Sequence, residues 1–255
     1  MRFQDKVAII TAGAAGIGRA TGAIMASEGA IVAVVDRDAA GVEAAVGAIR
    51  MAGGKAIGIA CDALDESQAA AAVRRVAGEC GCIDILVNGV GGSTVIANAA
   101  AATDELSFAE WRKLVAFNMD ATFLFCHEAI PALKRAGGGK IVNISSIAGR
   151  GLSPISSIAY AAGKGGIIAF TKKLSFELAG HGINVNAIAP SFTVTERMQE
   201  SWASRGEEAR QAAHKAVPLG RIATAQDQAR VICFLASGDA DFITGQTIDV
   251  TGGLS

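Results

Sequence analysis

The sequence predicts an α/β fold in which a doubly wound parallel sheet of about seven strands carries helices on both faces. Short apolar runs alternate with longer stretches of helical composition along most of the chain, as in repeated strand–helix–strand units. The 255 residues are 51% hydrophobic and 18% charged, which favours one large core and a single domain over residues 1–255. A formal net charge of -1, with no run of basic residues, argues against nucleic acid or an acidic membrane as partner.

The predicted elements follow the changes between apolar runs and helix-forming residues. Strands are predicted at 7–10, 31–35, 55–60, 83–88, 140–144, 183–188 and 246–250. Helices are predicted at 19–28, 39–52, 66–80 and 107–136, from about 157 to 180, and at 225–237. The polar stretch 196–216 carries both charge signs and is expected to form a lid over the substrate.

A glycine-rich turn at 11–18 joins the first predicted strand to the first helix. Glycines let the backbone turn tightly and approach a pyrophosphate, and the N–H groups at a helix start favour an anion. The turn is therefore a candidate phosphate-binding site, although the spacing G-x-x-x-G-x-G is by itself a weak signal. Its candidate cofactor-binding residues are Gly13, Ala15, Gly16, Ile17 and Gly18.

Asp36 ends the second predicted strand, where a carboxylate can accept hydrogen bonds from both adenosine ribose hydroxyls and repel a 2′-phosphate. The predicted cofactor is therefore NAD; a helix cap or a turn is the alternative role for Asp36. Arg37 can accommodate a 2′-phosphate and so weaken the discrimination. Asp62, just past the third strand, is expected to meet the adenine amino group, with Cys61 and Ala63 beside it.

The fourth predicted strand ends at Asn88, Gly89 and Val90. In open α/β sheets, ligands bind in the crevice at the carboxyl ends of the strands. We therefore include these three residues in the predicted cofactor site.

Tyr160, the only tyrosine in the chain, precedes Lys164 by one helical turn, so a helix would place both side chains on one face. A free tyrosine loses its proton near pH ~10, and a neighbouring cation favours the phenolate. The pair is a candidate general base. The alternative is a packed tyrosine beside a solvent-facing lysine.

With these motifs, nearly the whole chain resembles the short-chain dehydrogenases/reductases. The matching elements are 11–18, Asp62, 88–91, Asn118, 144–146, Tyr160 with Lys164, and 190–195. The resemblance implies a Rossmann fold, a homotetramer and catalytic roles for Asn118, Ser146, Tyr160 and Lys164. It also implies nicotinamide contacts from the Thr193 main chain and the Thr195 side chain. The other cofactor-binding residues predicted in these motifs are Tyr160, Lys164, Pro190 and Phe192.

Three features depart from the family pattern. Gly89 stands where the family usually has asparagine, and Ser191 stands where it usually has glycine. The interval from Ser146 to Tyr160 is one residue longer than in many members, which leaves Ser145 as an alternative to Ser146.

The residue types predict an enzyme that interconverts a secondary alcohol or diol and a ketone with NAD. Tyr160 would take the hydroxyl proton, and Ser146 would stabilise charge on the substrate oxygen. Asn118 is expected to hold a water between Lys164 and solvent, or else to face solvent or cap a helix. The alternatives are a 3-oxoacyl thioester reductase, a role that usually goes with NADPH, and a non-catalytic NAD-binding regulatory protein. The substrate pocket is expected to involve Ser93, Thr94, Val95, Leu152, Ser153, Pro154 and Phe192.

No metal site is predicted, because His127, His181 and His214 are scattered along the sequence. The five cysteines lack metal-binding spacing, and the N-terminus does not resemble a secretory signal. The expected location is a reducing compartment, the cytoplasm.

Overall fold

The computed structural model describes residues 1–153 and 155–254 and confirms the predicted fold class. Its strands are β1 (Val7–Thr11), β2 (Ile31–Asp36), β3 (Lys55–Ala60), β4 (Ile85–Asn88), β5 (Gly139–Ile144), β6 (Ile183–Pro190), β7 (Thr193–Val194), β8 (Ala223–Thr224) and β9 (Thr247–Val250). Its α-helices are α1 (Gly16–Ser27), α2 (Ala39–Met51), α3 (Glu66–Cys80), α4 (Phe108–Arg135), α5 (Ile158–Leu178), α6 (Glu196–Ala203), α7 (Glu207–Ala216) and α8 (Ala225–Leu235).

The main sheet has seven parallel strands in the order β3-β2-β1-β4-β5-β6-β9. The chain builds outward from β1 to β3, returns to place β4 beside β1, and then builds outward to β9. Where the strand order reverses, the connections leave on opposite faces and a crevice opens at the carboxyl ends of the strands. The glycine turn after β1 and the residues after β4 meet there.

Each face of the sheet has its own apolar core. Helices α3, α4 and α5 cover one face, with buried side chains such as Phe125 and Leu178. Helices α1, α2 and α8 cover the other face, with Met25 and Ile232 in its core. Because the central strand β1 is covered on both faces, all its residues are buried and its sequence is a continuous apolar run ending in threonine.

Several element boundaries differ from the predicted ones for a local reason. Strand β4 begins at Ile85 rather than at 83, because the Val7 N–H donates to the Asp84 carboxylate (2.9 Å) instead of to a neighbouring main-chain carbonyl. Helix α1 begins at Gly16 rather than at 19, so two glycines of the turn form its first helical turn.

A second, two-stranded sheet pairs β7 with β8 and was not predicted, since two-residue strands have no recognisable pattern. Its two strands lie just before and shortly after the segment 196–216, which forms the helices α6 and α7.

Arginines cover the main-chain carbonyls of the edge strand β3. The Arg50 guanidinium donates to the Ala56 carbonyl (2.8 Å), and Arg75 donates to the Gly58 carbonyl (3.3 Å). Such contacts protect an edge from pairing with another strand. Among the helices of residues 1–153 and 155–254, none combines the length and apolar character needed to cross a membrane.

Candidate active site

A cavity of about 400 Å³, a size typical of ligand sites, lies at the carboxyl ends of the central strands. The predicted residues that line it are Ala15, Gly16, Ile17, Gly18, Asp36, Arg37, Cys61, Asp62, Ala63, Gly89, Val90, Ser146, Tyr160, Lys164, Pro190, Thr193 and Thr195. Four other predicted residues, Gly13, Asn88, Asn118 and Phe192, do not line it.

The cavity is also lined by residues that the sequence analysis did not assign to the site: Ala12, Val35, Leu64, Gly91, Gly92, Phe117, Ile144, Ser191 and Met198. Ser145, the alternative to Ser146, lines it as well. Most adjoin predicted residues at strand ends, so position alone could have identified them. Phe117 comes from α4 and carries no sequence signal, whereas Met198 lies in the stretch 196–216 that was predicted as a lid. Within the described part of the chain, the expected substrate contacts at 93–95 and 152–153 lie outside this cavity, and Pro154 lies outside the described residues.

The glycine turn brings the start of α1 to the cavity wall. Gly16 has a left-handed backbone (φ +55°), and so does Ala12 (φ +51°), where a residue with a side chain is strained by about 1–2 kcal/mol. Gly18 packs so closely on the Ala12 main chain that a side chain has no room. A Cβ at Gly13 would point toward the Ile10 carbonyl, away from the cavity, and Gly13 does not line the cavity.

The first N–H of α1 already has an acceptor. Gly16 N–H donates to Glu196 Oε2 (2.9 Å), and Arg19 Nη2 lies 2.9 Å from Glu196 Oε1. The cap residue Ala15 provides no side-chain hydrogen bond. A carboxylate from α6 therefore accepts the first N–H of this helix.

Asp36 is half-buried at the end of β2. Its Oδ2 accepts from Ala14 N–H (3.2 Å) and its Oδ1 accepts from Asp38 N–H (3.2 Å). The cap of α2 is Asp38, whose side chain accepts from Gly41 N–H. Asp36 thus orders the local turn while its carboxylate faces the cavity beside Arg37.

The segment after β3 forms the wall next to Asp36. Asp62 Oδ1 accepts from Leu64 N–H (3.0 Å), and Asp62 N–H donates to Gln68 Oε1 (2.9 Å). Burial, with a smaller contribution from neighbouring carboxylates, raises the pKa of the Cys61 thiol to about 11. Cys61 is therefore a neutral packing group at physiological pH.

Asn88 lies behind the cavity wall and connects the elements that form it. Its Nδ2 donates to Asn143 Oδ1 (2.9 Å), and Asn143 Nδ2 donates to Thr171 Oγ1 (2.9 Å), so hydrogen bonds connect β4, β5 and α5. Gly89 N–H donates to Thr11 Oγ1 (2.9 Å). A Cβ at position 89 would lie 2.5 Å from the Thr11 carbonyl oxygen, which explains glycine there.

Lys164 is buried in α5, with 3% of its surface exposed, and its Nζ donates to the Ile144 carbonyl (2.8 Å). Burial lowers the pKa of its ammonium from 10.5 to about 8. Ser157 caps α5 by accepting from Tyr160 N–H (3.4 Å), which places Tyr160 in the first turn. Tyr160 and Lys164 line the same cavity, so the alternative of a solvent-facing lysine is wrong.

Asn118 is fully buried in α4 and holds the loop after β4. Its Oδ1 accepts from Gly92 N–H (2.9 Å), while its Nδ2 donates to the Gly92 and Leu114 carbonyls (3.0 and 2.9 Å). The expectation of a solvent-facing or helix-capping asparagine is therefore wrong. A Cβ at Gly91 would lie 2.5 Å from Lys164 Nζ and 2.7 Å from Asn118 Oδ1, so this loop packs directly on the lysine.

The two adjacent serines have different environments. Ser145 is buried and its hydroxyl donates to the Lys164 carbonyl (2.7 Å). Ser146 is half-buried, and its Oγ accepts from Ala148 N–H (3.1 Å). The Ser145 hydroxyl therefore already donates its proton to a carbonyl of α5, whereas the Ser146 hydroxyl only accepts a hydrogen bond and can still donate its own.

Residues after β6 form the remaining wall. Thr193 Oγ1 accepts from Gln228 Nε2 (3.2 Å), and Gln228, fully buried, also donates to the Val250 carbonyl (3.1 Å). Thr195 packs on Gly16. Phe192 packs instead against Trp202, with ring centroids 5.6 Å apart.

A family model described as enoyl-(acyl carrier protein) reductase matches residues 12–255. The chain is 38% identical over 253 residues to a D-threitol dehydrogenase from Mycolicibacterium smegmatis, covering 99% of this chain and 94% of the relative. It is 34% identical over 254 residues to a 3-oxoacyl-(acyl-carrier-protein) reductase from Thermotoga maritima, covering 100% of this chain and 99% of the relative.

A crystal structure from Burkholderia xenovorans, assigned to the short-chain dehydrogenases/reductases, superposes with a TM-score of 0.92 at 32% identity. The superposition covers 99% of this chain and 97% of the other. The family model, the relatives and the superposed structure each match nearly the whole chain. The chain therefore belongs to the short-chain dehydrogenases/reductases, oxidoreductases that use a nicotinamide cofactor and act on alcohols and ketones.

Proposed function

We propose that this chain is an NAD-preferring dehydrogenase that interconverts a secondary alcohol or diol and a ketone. The observation that carries the proposal is one cavity lined by Asp36 as well as by Ser146, Tyr160 and Lys164. A carboxylate beside the ribose hydroxyls favours NAD over NADP, and a proton-transfer group is what oxidation of an alcohol requires from the protein.

The cavity residues fit a dinucleotide. The start of α1 offers main-chain N–H groups for a diphosphate, and Asp36 offers a carboxylate for the ribose. Pro190, Thr193 and Thr195 line the cavity with Tyr160 and are proposed to hold the nicotinamide. When bound, the nicotinamide supplies the hydride acceptor.

The proton chemistry is assigned to Tyr160. Its phenolate takes the hydroxyl proton of the alcohol, and in reduction its phenol returns a proton to the carbonyl oxygen. Lys164 is still mostly protonated at pH 7, since its pKa is about 8, and a positive charge one turn away favours the phenolate. Ser146 donates to the substrate oxygen. Asn118 acts as a positioning residue through the loop that it holds against Lys164.

Two alternatives differ in class. A 3-oxoacyl thioester reductase is favoured by the similarity to the Thermotoga maritima enzyme, but Asp36 opposes the NADPH that such a role usually needs. A non-catalytic regulatory protein would have no use for Tyr160, Lys164 and Ser146 in one cavity. The similarity to a D-threitol dehydrogenase favours a hydroxylated substrate.

Helices α6 and α7 are proposed to act as a lid, because Thr195 and Met198 reach the cavity from this segment. We also propose that the protein is cytoplasmic, since its five cysteines are free thiols in the described residues.

We propose a homotetramer with two different interfaces. Exposed Phe123, Ile158 and Phe176 lie on α4 and α5, whereas exposed Phe234 and Ile248 lie on α8 and β9 at the sheet edge. Large apolar side chains exposed on a helix or sheet face are candidates for association, and a dihedral tetramer needs two self-complementary faces.

We expect light scattering after size exclusion to give four times the chain mass. Phe176→Glu places a charge in one interface and should leave dimers, while Met51→Glu, on exposed α2, should leave the tetramer intact. A monomer mass for the unmutated protein would contradict the assignment.

Tyr160→Phe removes one hydroxyl and should lower kcat by at least about 100-fold, because the proton acceptor is lost. Oxidation of a panel of secondary alcohols and diols, followed by absorbance of the reduced cofactor, measures this loss. The Kd for NADH, titrated by fluorescence, serves as the control and should change less than about twofold. Retention of a tenth of the turnover would remove Tyr160 from the mechanism.

Lys164 makes stability depend on pH. The pKa of Lys164 is about 8 in the folded protein and 10.5 in the unfolded chain. Between these two pH values the lysine is protonated more fully in the unfolded chain than in the folded protein, so the free energy of unfolding rises with pH. Relative to Lys164→Met, the free energy of unfolding of the unmutated protein should rise by about 2 kcal/mol from pH 7 to pH 10.

Urea unfolding at several pH values measures this difference. Lys173→Met, which changes an exposed lysine on the same helix, is the control and should show no such trend. A flat difference between unmutated protein and Lys164→Met would mean that the ammonium is not destabilised by burial.

Asp36 should give NAD at least a ~100-fold advantage in kcat/KM over NADP, about 2.7 kcal/mol, because two negative charges would meet in a partly buried cleft. Asp36→Ser should reduce this ratio, with Arg37 then able to pair with the 2′-phosphate. Asp38→Ser, which changes the exposed cap of α2, is the matched control and should leave the ratio unchanged. Equal use of both cofactors by the unmutated protein would contradict the ribose assignment.

A further inference from the structure

Glu196 joins two parts of the site that are 180 residues apart in sequence. One carboxylate oxygen accepts the Gly16 N–H (2.9 Å) and the other lies 2.9 Å from Arg19 Nη2. Glu196 is also the first residue of α6, so this contact ties the start of the proposed lid to the start of α1.

The start of α1 differs from most other helix starts in the described residues. Side chains of Asp38, Asp65, Ser107, Ser157 and Thr224 cap α2, α3, α4, α5 and α8. Helix α1 has alanine at its cap and no acidic residue in its first turn. Its N–H groups and the positive end of its dipole attract an anion, and Glu196 supplies one from a distant segment.

This position is also where the proposed function requires the cofactor diphosphate. Thr195 sits directly on Gly16, since a Cβ at Gly16 would lie 3.2 Å from the Thr195 methyl group. A single N–H cannot form short hydrogen bonds to a carboxylate and a phosphate together, and the two anions repel each other.

We propose that Glu196 competes with the dinucleotide diphosphate for the start of α1, and that cofactor binding thereby releases the start of α6. The proposal rests on the proposed function, in which a dinucleotide occupies this cavity. Glu196 thus lowers cofactor affinity and couples it to the position of α6, whose Met198 reaches the cavity.

The charges favour displacement of Glu196 by the diphosphate at the start of α1. The Glu196 and Arg19 side chains are 44% and 49% exposed, and an ion pair at such exposure is weak. A diphosphate offers more acceptor oxygens and more negative charge to the same N–H groups and to Arg19. The diphosphate therefore displaces Glu196 rather than the reverse.

The test compares Glu196→Ala with Glu200→Ala, an exposed glutamate one turn further along α6. The ligands are NADH, ADP and adenosine, the last lacking phosphate. We expect Glu196→Ala to lower the Kd for NADH and ADP roughly tenfold and to leave that for adenosine unchanged. Glu200→Ala should leave all three values unchanged, and Glu196→Gln, which retains an acceptor oxygen, should give an intermediate gain.

A second readout follows α6 itself. Trp202 lies on α6 against Phe192 and His214, and in a Trp111→Phe background its fluorescence reports on this helix alone. In the Trp111→Phe protein that retains Glu196, saturating ADP should change this emission. When Glu196→Ala is added, the emission without ligand should already resemble that of the ADP-bound protein.

The outcomes separate this proposal from the proposed function. If NADH binds but its Kd is equal or higher in Glu196→Ala, or if adenosine gains as much as ADP, competition by Glu196 is wrong and the proposed function stands. If no nicotinamide dinucleotide binds to the unmutated protein, the proposed function fails and this proposal fails with it.

Discussion

The buried ammonium of Lys164 constrains most of the site around it. A charge in the interior is tolerated only where polar groups surround it and neighbouring side chains leave room. Lys164 donates to the Ile144 carbonyl at the end of β5. Glycines stand at 91 and 149, where a Cβ would lie 2.5 Å from the lysine Nζ and 2.6 Å from its carbonyl carbon. The buried ammonium thus explains the glycine at 91 in the loop after β4, whereas the glycine at 149 is explained by its close approach to the α5 main chain.

The same contacts give the reacting groups a rigid base. The hydroxyl of Ser145 donates to the Lys164 carbonyl, and the Asn88–Asn143–Thr171 hydrogen bonds connect two strands with α5. Buried hydrogen bonds of this kind restrict alternative packing arrangements, although Asn88 Oδ1 itself has no partner among the described residues. Neither Asn88 nor Ser145 needs to touch a substrate for this role. Their value lies in holding the ends of β4 and β5 at a constant distance from α5.

The sequence was sufficient for the fold class, because continuous apolar strands alternating with helices allow few arrangements other than a doubly wound parallel sheet. It was also sufficient to bring Tyr160 and Lys164 to one cavity, since helical spacing is a local property. The sequence could not predict that Asn118 holds the loop after β4, because its hydrogen bond to Gly92 depends on how that loop packs against a distant helix. For the same reason Phe117 was missed and Phe192 was assigned to a cavity that it does not line.

In the proposed function, cofactor affinity and chemistry reside on different elements of the fold. Asp36 and the start of α1 belong to the first strand–helix–strand unit, whereas Ser146 follows β5 and Tyr160 and Lys164 belong to α5. The segment after β6 touches both, because Thr195 packs on Gly16 while Thr193 lines the cavity with Tyr160. Changes in the first unit should therefore act mainly on cofactor binding, and changes in α5 mainly on turnover. Residues of the connecting segment reach both parts of the cavity, so under the proposed function Thr193, Thr195, Glu196 and Met198 are where cofactor occupancy and catalysis can be coupled.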